Sequence, residues 1–260
     1  TELTETAREA EVLAETDRVR SALLSAVSHD LRRPLAAAVA AVGGLRATGQ
    51  ALSLEDQTEL MATADESLST LSTLVTDLLD VSRVEAGVLG VSLVAVDAAD
   101  AVLTALEELG LGPIEVELAL DPELPTLLAD PVLLQRVIVN VLANALRYAP
   151  EGERVRIATS SLGGLAEIRI IDHGAGVPAE RFDDMFAPFQ RLGDTDNTAG
   201  LGLGLALSKG FTEGMGGTLT PEHTPGGGLT MVVSLPVVTA STPAAFTAGV
   251  FTAGLDGSTQ

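Results

Sequence analysis

The chain has no cysteine and no tryptophan, and Tyr148 is its single tyrosine. Without thiols there can be no disulfide, no thiolate metal site and no cysteine nucleophile, and cysteine usage says nothing about the redox compartment. Lysine is almost as scarce, with Lys209 alone, and only three histidines occur, His29, His173 and His223. Basic charge is short overall: 15 Lys and Arg face 36 Asp and Glu, for a formal net charge of -21. That balance argues against binding to nucleic acid or to an anionic membrane, because both need a basic surface. Partners are expected to be proteins or small ligands. No apolar run reaches the roughly 18 residues of a membrane span; the nearest, 35–45, contains two glycines. The chain as given therefore reads as soluble. It begins at Thr1 without a signal-peptide pattern, which suggests a portion of something longer, although a processed terminus would look the same.

What is present falls into two parts, as a length of 260 residues slightly favours. Residues 1–20 mix Glu, Arg and Thr with spaced apolar residues and read as an incoming signalling helix or coiled coil. Over 21–90 the pattern is that of a helical hairpin. Leu24, Val27, Leu31, Leu35, Ala38, Val42 and Leu45 form one stripe, and Ala64, Leu68, Leu71, Val75 and Leu78 keep the seam spacing of a bundle. The first helix is expected to kink at Pro34 and to fade through Gly43, Gly44 and Gly49. Ser53, with Glu55 and Asp56 behind it, starts the second, which ends near Gly87. One hairpin cannot cover both seams, so pairing with a second copy into a dimeric four-helix bundle is expected.

From 91 to 237 short strands and helices alternate. Helices are expected at 98–109, 131–148 and up to about 212, and strands at 114–120, 125–128, 155–160, 166–171, near Thr218 and at 229–235. The order predicts an α/β sandwich rather than a doubly wound sheet. Residues 238–260 are rich in Thr, Ala, Gly and Ser, repeat Phe-Thr-Ala-Gly at Phe246 and Phe251, and read as a disordered tail.

Four stretches could carry chemistry. In Ser28-His29-Asp30-Leu31-Arg32-Arg33-Pro34, His29 points about 160° away from the apolar stripe, beside a carboxylate. It could serve proton or phosphoryl chemistry, or be an ordinary surface histidine. On the apolar helix 132–148, Asn140 and Asn144 share a face, with Arg147 and Tyr148 one turn on. Amide oxygens there suit a hard cation such as Mg²⁺, an arginine suits phosphate and a ring suits a base; two asparagines bonded to neighbouring loops would read equally well. Asp172-His173-Gly174-Ala175-Gly176 follows a strand and could read an adenine amino group beside flexible backbone, or be a plain turn with His173 as loop filler. Gly200-Leu201-Gly202-Leu203-Gly204-Leu205 opens a helix whose backbone donors favour phosphate. It fits neither the dinucleotide fingerprint, since 205 is Leu, nor a Walker loop, since Lys209 follows Ser208.

In this order the last three stretches resemble the N, G1 and G2 boxes of the ATP-binding domain shared by sensor histidine kinases, Hsp90, type II topoisomerases and MutL. Met185-Phe186-Ala187-Pro188-Phe189-Gln190-Arg191 resembles the kinase F box. The upstream Ser-His-Asp-Leu-Arg-x-Pro narrows the resemblance to two-component sensor histidine kinases over roughly 20–236. Phe189-Gln-Arg-Leu-Gly-Asp-Thr-Asp-Asn-Thr and Thr224-Pro-Gly-Gly-Gly-Leu-Thr resemble their actinobacterial, potassium-responsive KdpD branch.

The resemblance implies a helical hairpin followed by an α/β sandwich of the histidine kinase/Hsp90 type. It also implies ATP with Mg²⁺, a response regulator as partner, a homodimer, and a cytoplasmic portion of a parent protein anchored in the plasma membrane. By the same resemblance His29 accepts the γ-phosphoryl group and Asp30 holds or deprotonates its other ring nitrogen. Asn144 with Asn140 ligates Mg²⁺, Asp172 reads adenine, Tyr148 packs near the base and Arg147 meets phosphate. Gly174, Gly176, Gly200, Gly202, Leu203 and Gly204 shape the phosphate loop and a lid over about 177–199, and Arg191 contacts the γ-phosphate. His223 has no role in this scheme. Such kinases usually carry Thr or Asn four residues after the histidine, where this chain has Arg33, so a bias toward kinase over phosphatase activity is expected. Two other classes stand beside this one: an ATP-binding dimeric scaffold without kinase activity, and an ATP-driven clamp, which would lack the histidine hairpin.

Overall fold

The computed structural model describes residues 27–47, 51–190 and 201–238. The expected signalling helix over 1–20, the tail from 239 on and the last part of the expected lid, 191–199, lie outside the described residues. Two compact units are present, and the division falls inside a helix, after Leu78.

In the first unit α1 is helical over 27–47. It runs through Pro34 and past Gly43 and Gly44, where the sequence suggested that it would fade. At Gly44 α2 (Leu54–Glu85) passes nearby: a Cβ there would stand 3.5 Å from Leu60 Cδ1, an ordinary contact. A reciprocal cap starts α2. Ser53 Oγ accepts from the Asp56 N–H at 3.1 Å, while Asp56 Oδ2 accepts from the Ser53 N–H at 3.3 Å, so each satisfies a donor of the first turn. Ala38, Ala41, Ala64 and Leu74 are buried, whereas Leu35, Val39, Val42, Met61, Leu68 and Val75 are exposed apolar side chains. The second group includes four of the expected stripe and seam positions, Leu35, Val42, Leu68 and Val75.

The second unit takes in the last turns of α2. Asp80, 5 % exposed, is paired with Arg83 at 3.1 Å and with Arg136 of α4 (Pro131–Tyr148). Arg136 also covers the Phe211 ring of α5 (Gly204–Gly214), 4.9 Å from its centroid. Gly210 of α5 lets Val84 approach, since a Cβ there would fall 2.4 Å from Val84 Cγ1. Packing at these points explains why the division precedes the end of the helix. At that end Gly87 adopts φ 65°, with Gly87 N–H on the Val84 carbonyl and Val88 N–H on the Arg83 carbonyl, a Schellman stop.

Beyond it come β1 (Val94–Val96), α3 (Ala98–Leu109), β2 (Val116–Ala119), β3 (Leu127–Ala129), α4, β4 (Val155–Leu162), β5 (Leu165–Ile171), two short 3₁₀ turns (Ala179–Arg181 and Asp184–Phe186), α5, β6 (Thr218–His223) and β7 (Leu229–Pro236). One mixed sheet has the order β2-β4-β5-β7-β6, with only β2 and β4 parallel; β1 and β3 form a separate antiparallel pair. Alternate residues explain the two layers. Val155, Ile157, Ile168 and Ile170 are buried beneath α4 and α5, while Arg156, Glu167 and Arg169 emerge on the other face. There burial alone would lower the pKa of Arg169, but hydrogen bonds and charge from Glu222 and Glu167 hold it above its ordinary value.

The expected sandwich is therefore present, and the helices over 98–109 and 131–148 fall where the sequence put them. Strand β1 was not foreseen: three residues paired with a strand some 33 positions away leave no local period to read.

Candidate functional site

The site is built along α4. Asp130 caps the helix, its Oδ1 accepting from Val132 and Leu133 N–H at 3.0 and 3.2 Å, and Pro131 at the first position has no donor to satisfy. Leu134, Val137, Ile138, Val141 and Leu142 turn fully into the core. One flank of that core stripe carries Asn140 and Asn144, both half-buried, and the helix ends in the exposed Arg147 and Tyr148. Asn140 Nδ2 donates to the Gly204 carbonyl and Ser208 Oγ at 3.4 and 3.5 Å, which leaves its Oδ1 as an acceptor. Arg147 covers the exposed Tyr148 ring, 5.6 Å from its centroid.

Where β5 ends, Asp172 is buried, 4 % exposed. Its Oδ1 accepts from Gly174 N–H at 2.8 Å and from Leu229 N–H at 3.1 Å, so the carboxylate fastens its own loop to the start of β7 and keeps Oδ2 as a further acceptor. Gly174 has no room for a side chain, because a Cβ would meet the Tyr148 carbonyl oxygen at 2.2 Å. The loop and the C-terminal end of α4 thus touch backbone to backbone. Gly176, at φ 68°, passes under the Gly228 carbonyl.

Farther along, Gly202 at φ 69° accepts from the Phe189 N–H at 3.1 Å, and Leu203 is buried. Gly204 opens α5 against Asn140. Asn140, Asn144, Arg147, Tyr148, Asp172, Gly174, Gly176, Gly202, Leu203 and Gly204 accordingly all belong to the second unit, arranged around the asparagine face of α4. Arg191 and Gly200 lie outside the described residues.

His29 and Asp30 are on α1 in the first unit. The imidazole is 52 % exposed, and its Nδ1 stands 3.1 Å from Asp30 Oδ1. With Nδ1–H donating to that carboxylate, the ring is held in the tautomer whose Nε2 carries the lone pair.

Two contributors escaped sequence reasoning. Ser208 is fully buried beside Asn140. The hairpin Gly226–Gly228, positive in φ throughout, presses on the site loop, and a Cβ on Gly228 would lie 2.1 Å from the Asp172 carbonyl oxygen. Its Thr-Pro-Gly-Gly-Gly pattern was visible, yet nothing local tells which distant backbone it covers. His223, without a role in the sequence scheme, packs its ring on Phe182 with centroids 5.0 Å apart.

Comparison with known proteins gives two family matches: the histidine kinase-, DNA gyrase B- and HSP90-like ATPase model over residues 129–239, and the His Kinase A phospho-acceptor domain over 19–87. The chain is 57 % identical over 247 residues to the sensor protein KdpD of Rathayibacter rathayi, covering 93 % of this chain and 28 % of that protein. With the sensor protein KdpD of Mycobacterium tuberculosis it shares 46 % identity over 240 residues, 90 % of this chain and 28 % of the other. It thus spans little more than a quarter of these relatives. Among solved structures, full-length ShkA in complex with AMPPNP matches with a TM-score of 0.62 and 27 % identity, covering 86 % of this chain and 47 % of that one.

Proposed function

Because this chain belongs to the two-component sensor histidine kinases, in their KdpD branch, we propose that it binds ATP with Mg²⁺, phosphorylates itself on His29 and passes the phosphoryl group to an aspartate of a response regulator. The observation that best supports this is the meeting, around one face of α4, of the buried Asp172 carboxylate, the side-chain-free backbone of Gly174 and the start of α5 at Gly204. Asp172 Oδ2 would accept the adenine amino group, since Oδ1 is occupied by two backbone N–H groups. Tyr148 would pack near the base and Arg147 would meet phosphate. Gly202, Leu203 and Gly204 would present the N-terminal end of α5 to the phosphates, with Gly200 and Arg191 completing that end.

Among the described residues no group of three or more His, Asp or Glu side chains could hold a metal. The Oδ1 atoms of Asn144 and Asn140 suit Mg²⁺ only if ATP supplies further oxygens, as a hard ion of octahedral preference requires. When bound, the ion would neutralise phosphate charge. In the transfer, the His29 Nε2–phosphorus bond forms as the bond from phosphorus to the bridging oxygen breaks, and ADP leaves. Positive charge gathers on the imidazole, and Asp30 neutralises it or accepts the Nδ1 proton.

Incubation with γ-labelled ATP and Mg²⁺ tests this reading against His29→Gln. Acid-labile, alkali-stable label that disappears in the variant is expected; equal labelling of the two would overturn it.

The exposed apolar residues of α1 and α2 would pair with a second copy in a dimeric bundle. No helix among the described residues is long and apolar enough to cross a membrane, and potassium-responsive input from a membrane-anchored parent would reach this segment through α1. Arg33, which offers neither the hydroxyl nor the amide usual four residues after the histidine, would bias the protein toward kinase activity. Arg33→Thr should raise the rate at which phosphorylated regulator is dephosphorylated, without lowering His29 labelling; robust dephosphorylation that survives Arg33→Ala would remove that part of the reading.

A further inference from the structure

Lys209 is the only lysine in a chain with 36 acidic residues, yet among the described residues it forms no ion pair. Its ammonium instead stands over the face of Phe186, 4.9 Å from the ring centroid. A cation within about 6 Å of a ring centroid is attracted by the ring quadrupole, and more strongly where the ring is withdrawn from water. Phe186 is buried and ends the 3₁₀ turn Asp184–Phe186, whereas Lys209 is half-buried on α5.

The segment that holds Phe186 is fastened mostly by side chains: Met185 is buried beside Phe186, and Arg181 Nε stands 3.6 Å from Asp184 Oδ2. Phe186 and Ala187 N–H groups bond only within the turn, to Asp183 and Asp184 carbonyls at 3.2 and 3.0 Å. Phe189 then takes φ 66°, a left-handed conformation that costs a non-glycine residue on the order of 1–3 kcal/mol, and its N–H reaches Gly202 at 3.1 Å. A strained backbone persists only where its surroundings hold it. The contact with Gly202 holds one end; the Lys209–Phe186 stack, together with the buried Met185 and the Arg181–Asp184 pair, holds the other.

We propose that Lys209 is a positioning residue: its charge, acting through Phe186, braces the 184–189 segment on α5 and so keeps Gly202–Gly204 in the geometry that takes the phosphates. The brace itself is independent of the function proposed above; only its effect on nucleotide rests on that reading.

Hydrogen exchange and nucleotide kinetics on the whole chain test it together. In Lys209→Met, which keeps the aliphatic stem and loses the charge, the Phe186, Ala187 and Phe189 amides should exchange about five-fold faster while those of α4 do not change. Lys209→Arg should match the parent. KM for ATP in His29 labelling should rise about three- to ten-fold in Lys209→Met with kcat within about two-fold, the split expected of a residue that shapes binding rather than transfer.

The solitary lysine offers a second route if Lys209→Met fails to fold. Acetylation of the folded parent removes the charge, reductive dimethylation keeps it, and Lys209→Arg treated in the same way reports the α-amine alone. Only acetylation of the parent should loosen 184–189. Unchanged exchange after charge removal, or equal loosening in Lys209→Arg, would overturn the brace. Loosening without any nucleotide binding would uphold the brace and overturn the proposed function.

Discussion

Asp172 carries two duties on one side chain, and they can be separated. Asp172→Ala orphans the buried N–H of Leu229, at about 1–3 kcal/mol, and the half-buried N–H of Gly174 at less, so a lowered melting temperature should accompany loss of nucleotide binding. Asp172→Asn retains an acceptor for those donors but places an NH₂ where adenine would offer its own amino group. It should melt near the parent while affinity for a fluorescent ATP analogue falls at least about ten-fold. Equal affinity would remove Asp172 from base recognition. Gly228→Ala combines φ 109° with a clash against the Asp172 carbonyl and should cost more than about 2 kcal/mol in chemical denaturation.

At the level of elements, the capped helix ends were the most legible features of the sequence, unlike the end of α1. Ser53, Gly87, Asp130 and Pro131 act through neighbours within a few residues, so their meaning travels with the local string. Replacing Ser53 by Ala should cost about 1 kcal/mol, confined to the hairpin. Asp130→Ala should cost about 2 kcal/mol or more, because Asp130 Oδ2 also accepts from Ser92 N–H at 2.8 Å. The asparagine face of α4 was legible for a related reason, since helical periodicity alone assigns Asn140 and Asn144 to one side. What could not be read were pairings set by distant partners: β1 with β3, the glycine hairpin with Asp172, Asp80 with Arg136. Asp80→Ala should lower stability by about 2 kcal/mol, a value discounted because both arginine partners are partly exposed.

For the molecule as a whole, the hairpin's exposed apolar side chains set a prediction about assembly. Leu68→Asp places a charge within the proposed bundle face and should yield monomers by light scattering, with the melting transition of the second unit unchanged. A persistent dimer would move the interface elsewhere. The bond between Asp172 and Leu229 has a consequence in time. It joins residues 57 apart and closes only when β7 zips onto β5, so a nascent chain halted after α5 has both glycine loops and both asparagines and still lacks the floor of its site. Competence for nucleotide should therefore return in refolding with the slowest sheet-forming phase, making the bound analogue a reporter for the last step of folding rather than for the first.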